Sequence, residues 1–303
     1  MKLHGIIPAM VLPMTEDALI DEPALRSYCE WLLAQGPHGL AINVDTGEGP
    51  HLWPEEKAEV IRIVVDVVRG RVPVIAGLGA SFTEQAVRAA REAEAAGADG
   101  LLVFPISVWR GRPLPPDLVY DYHKAIADAV SLPLIAFQLQ DALGGVEFDL
   151  PTLSRLFEIP QVIAIKEAAF DAKKYLEVVR HLRSLPREVA VLTGNDNFIL
   201  ESFVLGADGA LIGFGTLATG LQVEMYDAWT SGNHARAFAL GRRIQRLADV
   251  IFAQPVRDYR VRTKEALVMQ GVIPRATVRA PLMPIEQEER GRIRAALVEA
   301  GLL

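Results

Sequence analysis

The chain has 303 residues, 50% hydrophobic and 23% charged, a composition that fits one large globular α/β unit. A net charge of -7 and the lack of a basic stripe exclude a nucleic-acid partner, and no apolar run of 18 or more residues exists to span a membrane. Cys29 is the single cysteine, which excludes an intrachain disulfide and a cysteine-rich metal site and fits a reducing compartment. Met1-Lys2-Leu3-His4 leads directly into an apolar run with no signal-peptide pattern, so a cytoplasmic location is expected.

Short apolar runs alternate with amphipathic stretches along the chain. The runs Gly5–Leu12, Gly39–Asp45, Val72–Leu78, Gly100–Pro105, Leu132–Gln138, Val162–Ala168, Val189–Asn195 and Ala210–Gly215 predict strands. Helices are predicted over Pro54–Val68, Phe82–Ala96, Pro116–Val130, Asp171–Leu182 and Asn197–Leu205. Gly-Ala-Asp-Gly occurs twice, at 97–100 and 206–209, as a helix-ending turn that hands the chain to the next strand. Near-continuous apolar strands joined by helices indicate a parallel sheet covered on both faces. Eight such units in about 220 residues favour an α/β fold of the (β/α)8 TIM barrel type over an open doubly wound sheet. No glycine-rich dinucleotide turn follows the first run. Residues 1–220 are therefore expected to form the barrel that carries the active site. Residues 221–303, broken at Pro255 and around Pro274 to Pro284, form a C-terminal helical subdomain.

In a barrel, the residues just past each strand's C-terminal end meet at one rim, where active sites lie. Here that rim collects Asp45, Thr46 and Gly47, then Pro105 to Ser107, Phe137 and Gln138, Lys166, Asn195 and Asp196, and Gly213 and Gly215. Lys166 stands out, because it sits near the end of the β-branched run Val162-Ile163-Ala164-Ile165. A lysine there either finds a counter-charge or loses its proton, and desolvation lowers its pKa. A neutral amine in a pocket attacks carbonyls and forms a Schiff base. A structural lysine paired with a carboxylate is the competing reading, but neighbouring Glu167 should point to the opposite face of the strand. His51, three residues after Glu48, has no third ligand at a suitable spacing, so no metal is expected.

Thr46-Gly47-Glu48, Ile163-Ala164-Ile165-Lys166-Glu167-Ala168, Thr193-Gly194-Asn195-Asp196, and Gly271-Val272-Ile273 followed by Val278-Arg279-Ala280-Pro281-Leu282 occur in order. Together they resemble the dihydrodipicolinate synthase / N-acetylneuraminate lyase family of class I aldolases, over nearly the whole chain. The resemblance implies a TIM barrel with a C-terminal helical domain, Lys166 as the Schiff-base lysine, and a homo-oligomer, tetramer or dimer. It also implies a small 2-keto acid as partner, with no cofactor beyond the covalent imine at Lys166. Thr46 resembles the hydroxyl residue that binds the substrate carboxylate. The glycine turn Asp45-Thr46-Gly47 is suited to a concave nest of amides beside it.

Departures from the family pattern bear on substrate. Asp45 stands where the family has a hydroxyl residue, Phe137 where it has the proton-relay tyrosine, Ser107 where the synthases carry a second tyrosine, and Ala142 where they carry an arginine. A phenyl ring has no exchangeable proton. The expected activity is thus a Schiff-base lyase, aldolase or dehydratase, acting on pyruvate-derived 2-keto or 2-keto-3-deoxy acids rather than a typical dihydrodipicolinate synthase. Lys166 and Asp45 are the expected catalytic groups, with Asp45 an acid/base or a ligand of a substrate hydroxyl, or else merely an ion-pair partner of Lys166. Thr46, Gly47, Ser107, Phe137, Gln138 and Gly213 are the expected substrate-binding residues. A non-catalytic keto-acid-binding or regulatory member of the family is the alternative.

Overall fold

The computed structural model describes residues 2–303. Its strands are β1 (Gly5–Pro8), β2 (Leu40–Ile42), β3 (Val74–Leu78), β4 (Gly100–Val103), β5 (Leu134–Leu139), β6 (Val162–Ala168), β7 (Ala190–Thr193) and β8 (Gly209–Ile212). They pair in parallel in the order β1-β8-β7-β6-β5-β4-β3-β2, and a bridge between Ala9 and Ala41 draws β1 to β2. The result is a TIM barrel. One inward side chain per strand (Ile7, Ala41, Ile75, Leu102, Ile135, Ala164, Leu192 and Leu211) is fully buried in a second core cluster inside the ring. Helices α1 (Glu22–Leu33), α2 (Pro54–Val68), α3 (Thr83–Ala95), α4 (Pro116–Ala127), α5 (Leu150–Leu156), α6 (Ala172–Arg183), α7 (Ile199–Val204) and α8 (Thr219–Thr230) follow the strands.

Local chemistry sets the element ends. Helix α2 starts at Pro54, with the Glu56 carboxylate accepting from the Trp53 amide at 2.8 Å, and stops where Arg69 turns left-handed at φ 50°. The two Gly-Ala-Asp-Gly copies do the same work. Gly97 and Gly206 adopt φ of 98° and 104°, open to glycine at little cost. The following aspartates accept from amides at the start of neighbouring strands: Asp99 from Val74 at 2.8 Å, Asp208 from Val191 at 2.7 Å. Most strands stop short of their apolar runs. Beyond Pro8, for example, Met10, Val11 and Leu12 stay buried without continuing β1, because a buried loop is as apolar as a strand.

The tail forms α9 (His234–Ile251), α10 (Tyr259–Met269) and α11 (Gln287–Glu299). Helix α8 runs across position 220, so the last barrel helix ends ten residues beyond the expected boundary. The tail is strapped to the loop after β2. Lys264 on α10 donates to Glu48, and both side chains are 0% exposed. The Arg279 amide also donates to Glu48 at 2.8 Å, while its guanidinium forks onto Glu56 with two bonds of 2.7 Å. The motifs around Glu48 and Arg279 thus share one function, fixing α10 above the mouth of the barrel.

Candidate active site

Strand alternation decides which side chains reach the interior. On β6, Ala164 points into the barrel, so Lys166 does too, one layer nearer the rim, while Glu167 points out. On β5, Phe137 is the register partner of Lys166, and its ring centroid lies 4.4 Å from the Lys166 Nζ. Gly194, after β7, leaves the lysine its room: a Cβ there would sit 2.6 Å from the Lys166 Cε.

Lys166 lines a cavity of about 580 Å³ at the C-terminal rim. Asp45, Thr46, Phe104, Phe137, Asp196 and Gly213 share its wall, joined by Arg110 and by Phe252, Tyr259 and Arg260 of the tail. Desolvation holds the Lys166 ammonium below the usual lysine range, opposed first by the charge of Asp196 and then by that of Asp45. Burial pushes Asp196 up to about 6, although its Oδ1 accepts from the Phe214 amide at 2.8 Å. An amine with less need of its proton and a carboxyl raised by burial therefore face the same cavity, the pattern of groups tuned for proton transfer.

Asp45 does not ion-pair with Lys166. Its carboxylate pairs with Arg260 and accepts from the Tyr259 hydroxyl at 2.9 Å. The Tyr259 oxygen lies 3.3 Å from Thr46 Oγ1. Since the phenol gives its one proton to Asp45, Thr46 is the donor in that bond. Gly213 makes this packing feasible, because a Cβ there would stand 2.9 Å from Thr46 Oγ1 and 3.3 Å from the Tyr259 ring.

Three expected binding residues sit elsewhere. Gln138 follows the outward parity of β5; its Nε2 donates to Glu167 at 3.1 Å and its Oε1 accepts from the Phe148 amide at 3.2 Å, behind the sheet. Ser107 lies exposed in a short 3-10 turn and does not line the cavity. Gly47 has no free amide for a nest, because its N–H donates to Val44 O at 3.1 Å; the glycine is needed because a Cβ would lie 2.7 Å from Met10 O. Asp45, Thr46, Phe137, Lys166 and Gly213 do converge on the cavity. No cluster of three or more metal-binding side chains occurs among the described residues.

Sequence reasoning missed Tyr259 and Arg260. They stand more than 200 positions from Asp45, at the start of a helix whose periodicity says nothing of the barrel mouth. The single local signal is the helix break at Pro255, which turns the chain back over the rim.

Comparison with known proteins agrees with this geometry. Residues 2–300 match the model of the dihydrodipicolinate synthetase family. A 4-hydroxy-tetrahydrodipicolinate synthase of Moorella thermoacetica is 36% identical, with all of both chains covered. Another, of Acidiphilium cryptum, is 33% identical over 99% of each chain. Among solved structures, the chloride-inhibited dihydrodipicolinate synthase of Acinetobacter baumannii complexed with pyruvate superposes with a TM-score of 0.88, at 30% identity and full coverage of both chains. A dihydrodipicolinate synthase of Bacillus anthracis also gives 0.88, at 29% identity over 98% of each.

Proposed function

The chain belongs to the dihydrodipicolinate synthetase family and is a class I aldolase-type lyase, and from that premise we propose that it acts through a Lys166 imine on a 2-keto or 2-keto-3-deoxy acid. The observation that carries this reading is the Lys166 amine itself, desolvated and opening into a cavity of about 580 Å³ large enough for such a substrate. Attack on the keto carbon and loss of water give an iminium, an electron sink beside carbon 3. Loss of a C3 proton, or cleavage of the C3–C4 bond, gives the enamine. Thr46, 3% exposed on the cavity wall, would meet the substrate carboxylate by turning its one hydroxyl proton from Tyr259 to that carboxylate. Arg110 and Arg257 at the mouth favour an acidic substrate over a neutral one. A covalent imine makes a metal or an organic cofactor unnecessary to this chemistry.

Phe137 and Ala142, both on the cavity wall, argue against typical dihydrodipicolinate synthase activity. No phenol stands at strand five and no guanidinium at position 142 to receive the synthases' aldehyde partner. A panel of 4-hydroxy-2-keto acids and 2-keto-3-deoxy acids, followed for pyruvate or dehydration product, tests the reading. Turnover on at least one panel member, with none in the synthase condensation, is the expected result. Efficient condensation with the synthases' aldehyde would overturn it, and binding without any turnover would make the chain a keto-acid-binding protein.

A further inference from the structure

The loss of the strand-five phenol leaves this site needing another group to move protons. Among the described residues lining the cavity, Thr46 and Tyr259 are the two that bear a hydroxyl. Tyr259 is 7% exposed, its ring stacked on Phe252 with centroids 4.9 Å apart and planes 19° from parallel, so the hydroxyl is held in one direction. That hydroxyl joins Thr46 Oγ1 at 3.3 Å to Asp45 Oδ2 at 2.9 Å. Asp45 continues the chain outward: it is 44% exposed along its side chain and is gripped by Arg260, which also donates to the Asp45 carbonyl at 2.9 Å. A buried hydroxyl on the substrate side thus connects to a carboxylate that meets water.

Resting on the Lys166 imine proposed above, we infer that Tyr259, delivered by the C-terminal helices rather than by the barrel, is the proton-transferring hydroxyl of this enzyme, with Asp45 as its exchange partner. In the forward step the C3–H bond of the iminium breaks and its electron pair moves into the C2–C3 bond, neutralising the iminium nitrogen. The C3 proton goes to the Tyr259 oxygen as the phenolic proton passes to Asp45 Oδ2, and Asp45 releases it to water. Protonation of the enamine reverses each movement. Burial, and then the Asp45 charge, push the Tyr259 phenol well above its usual range. The phenol therefore keeps a proton at neutral pH and works by passing one on rather than by ionising. Arg260, paired with the Asp45 carboxylate and donating to its carbonyl, acts as a positioning residue.

The test uses pyruvate in deuterated water with the full-length protein. Borohydride trapping reports the imine, and loss of the pyruvate methyl signal by NMR reports C3 exchange. Tyr259→Phe should trap at Lys166 as well as the parent protein while exchange slows by about 100-fold or more, the usual worth of a general acid/base. Asp45→Asn should show the same split, with the phenol present but without its acceptor. Exchange at the parent rate in either variant overturns the relay. Loss of the adduct together with exchange in Tyr259→Phe also overturns it, making the residue part of the pocket's framework. An unaltered protein that forms no adduct instead removes the imine reading on which the relay stands.

Discussion

An ammonium at Lys166 has lost hydration and gained two carboxylates, and the loss is the larger effect. The folded-state pKa is therefore depressed, so the free amine appears at lower pH than in an exposed lysine, near 10.4. Trapping by pyruvate and borohydride should follow that amine, with a midpoint below the ordinary lysine value and a decline as pH falls through it. The Asp196 charge favours the ammonium more than that of Asp45, so Asp196→Asn should move the midpoint to still lower pH. An unchanged midpoint would show that Asp196 does not act on the lysine. Lys166 was legible because a cation in a β-branched run is conspicuous. The detail of Asp45 was not, because its partners Tyr259 and Arg260 are distant in sequence and the choice between Lys166 and Arg260 depends on packing.

At the level of elements, parity explains both success and error. Period-2 alternation on β5 and β6 puts Phe137 and Lys166 inside and sends Gln138 and Glu167 outside. The same parity that turns Glu167 outward removes Gln138 from the expected pocket. All eight apolar runs overlap a strand, since burial on both faces leaves a strong compositional mark. The attachment of α10 left no such mark. It depends on Glu48 and Lys264, a fully buried ion pair joining positions 216 apart. Removing one partner strands a buried charge, so Lys264→Met should cost roughly 3–5 kcal/mol in denaturant unfolding. It should also loosen Tyr259 over the cavity. A variant with unaltered stability would contradict the strap.

Over the whole molecule, the barrel supplies Lys166 and the tail supplies part of the wall, so neither alone encloses the cavity. A chain of net charge -7 nevertheless places Arg110, Arg257 and the Asp45-paired Arg260 at this opening. No helix among the described residues is long and apolar enough to cross a membrane. Trp53, Phe82 and Val108 are 72%, 57% and 69% exposed at the starts of α2 and α3 and in the loop after β4. A homo-oligomer that buried these side chains would account for their exposure. Sedimentation should give at least twice the 33.1 kDa chain mass, and a monomer at micromolar concentration would contradict this.

The most direct measurement is peptide mass mapping after borohydride reduction with pyruvate. A reduced pyruvyl adduct on the peptide containing Lys166, absent in Lys166→Ala, is the predicted result. An adduct on another lysine, or none at any pH at which the protein stays folded, would contradict the proposed chemistry.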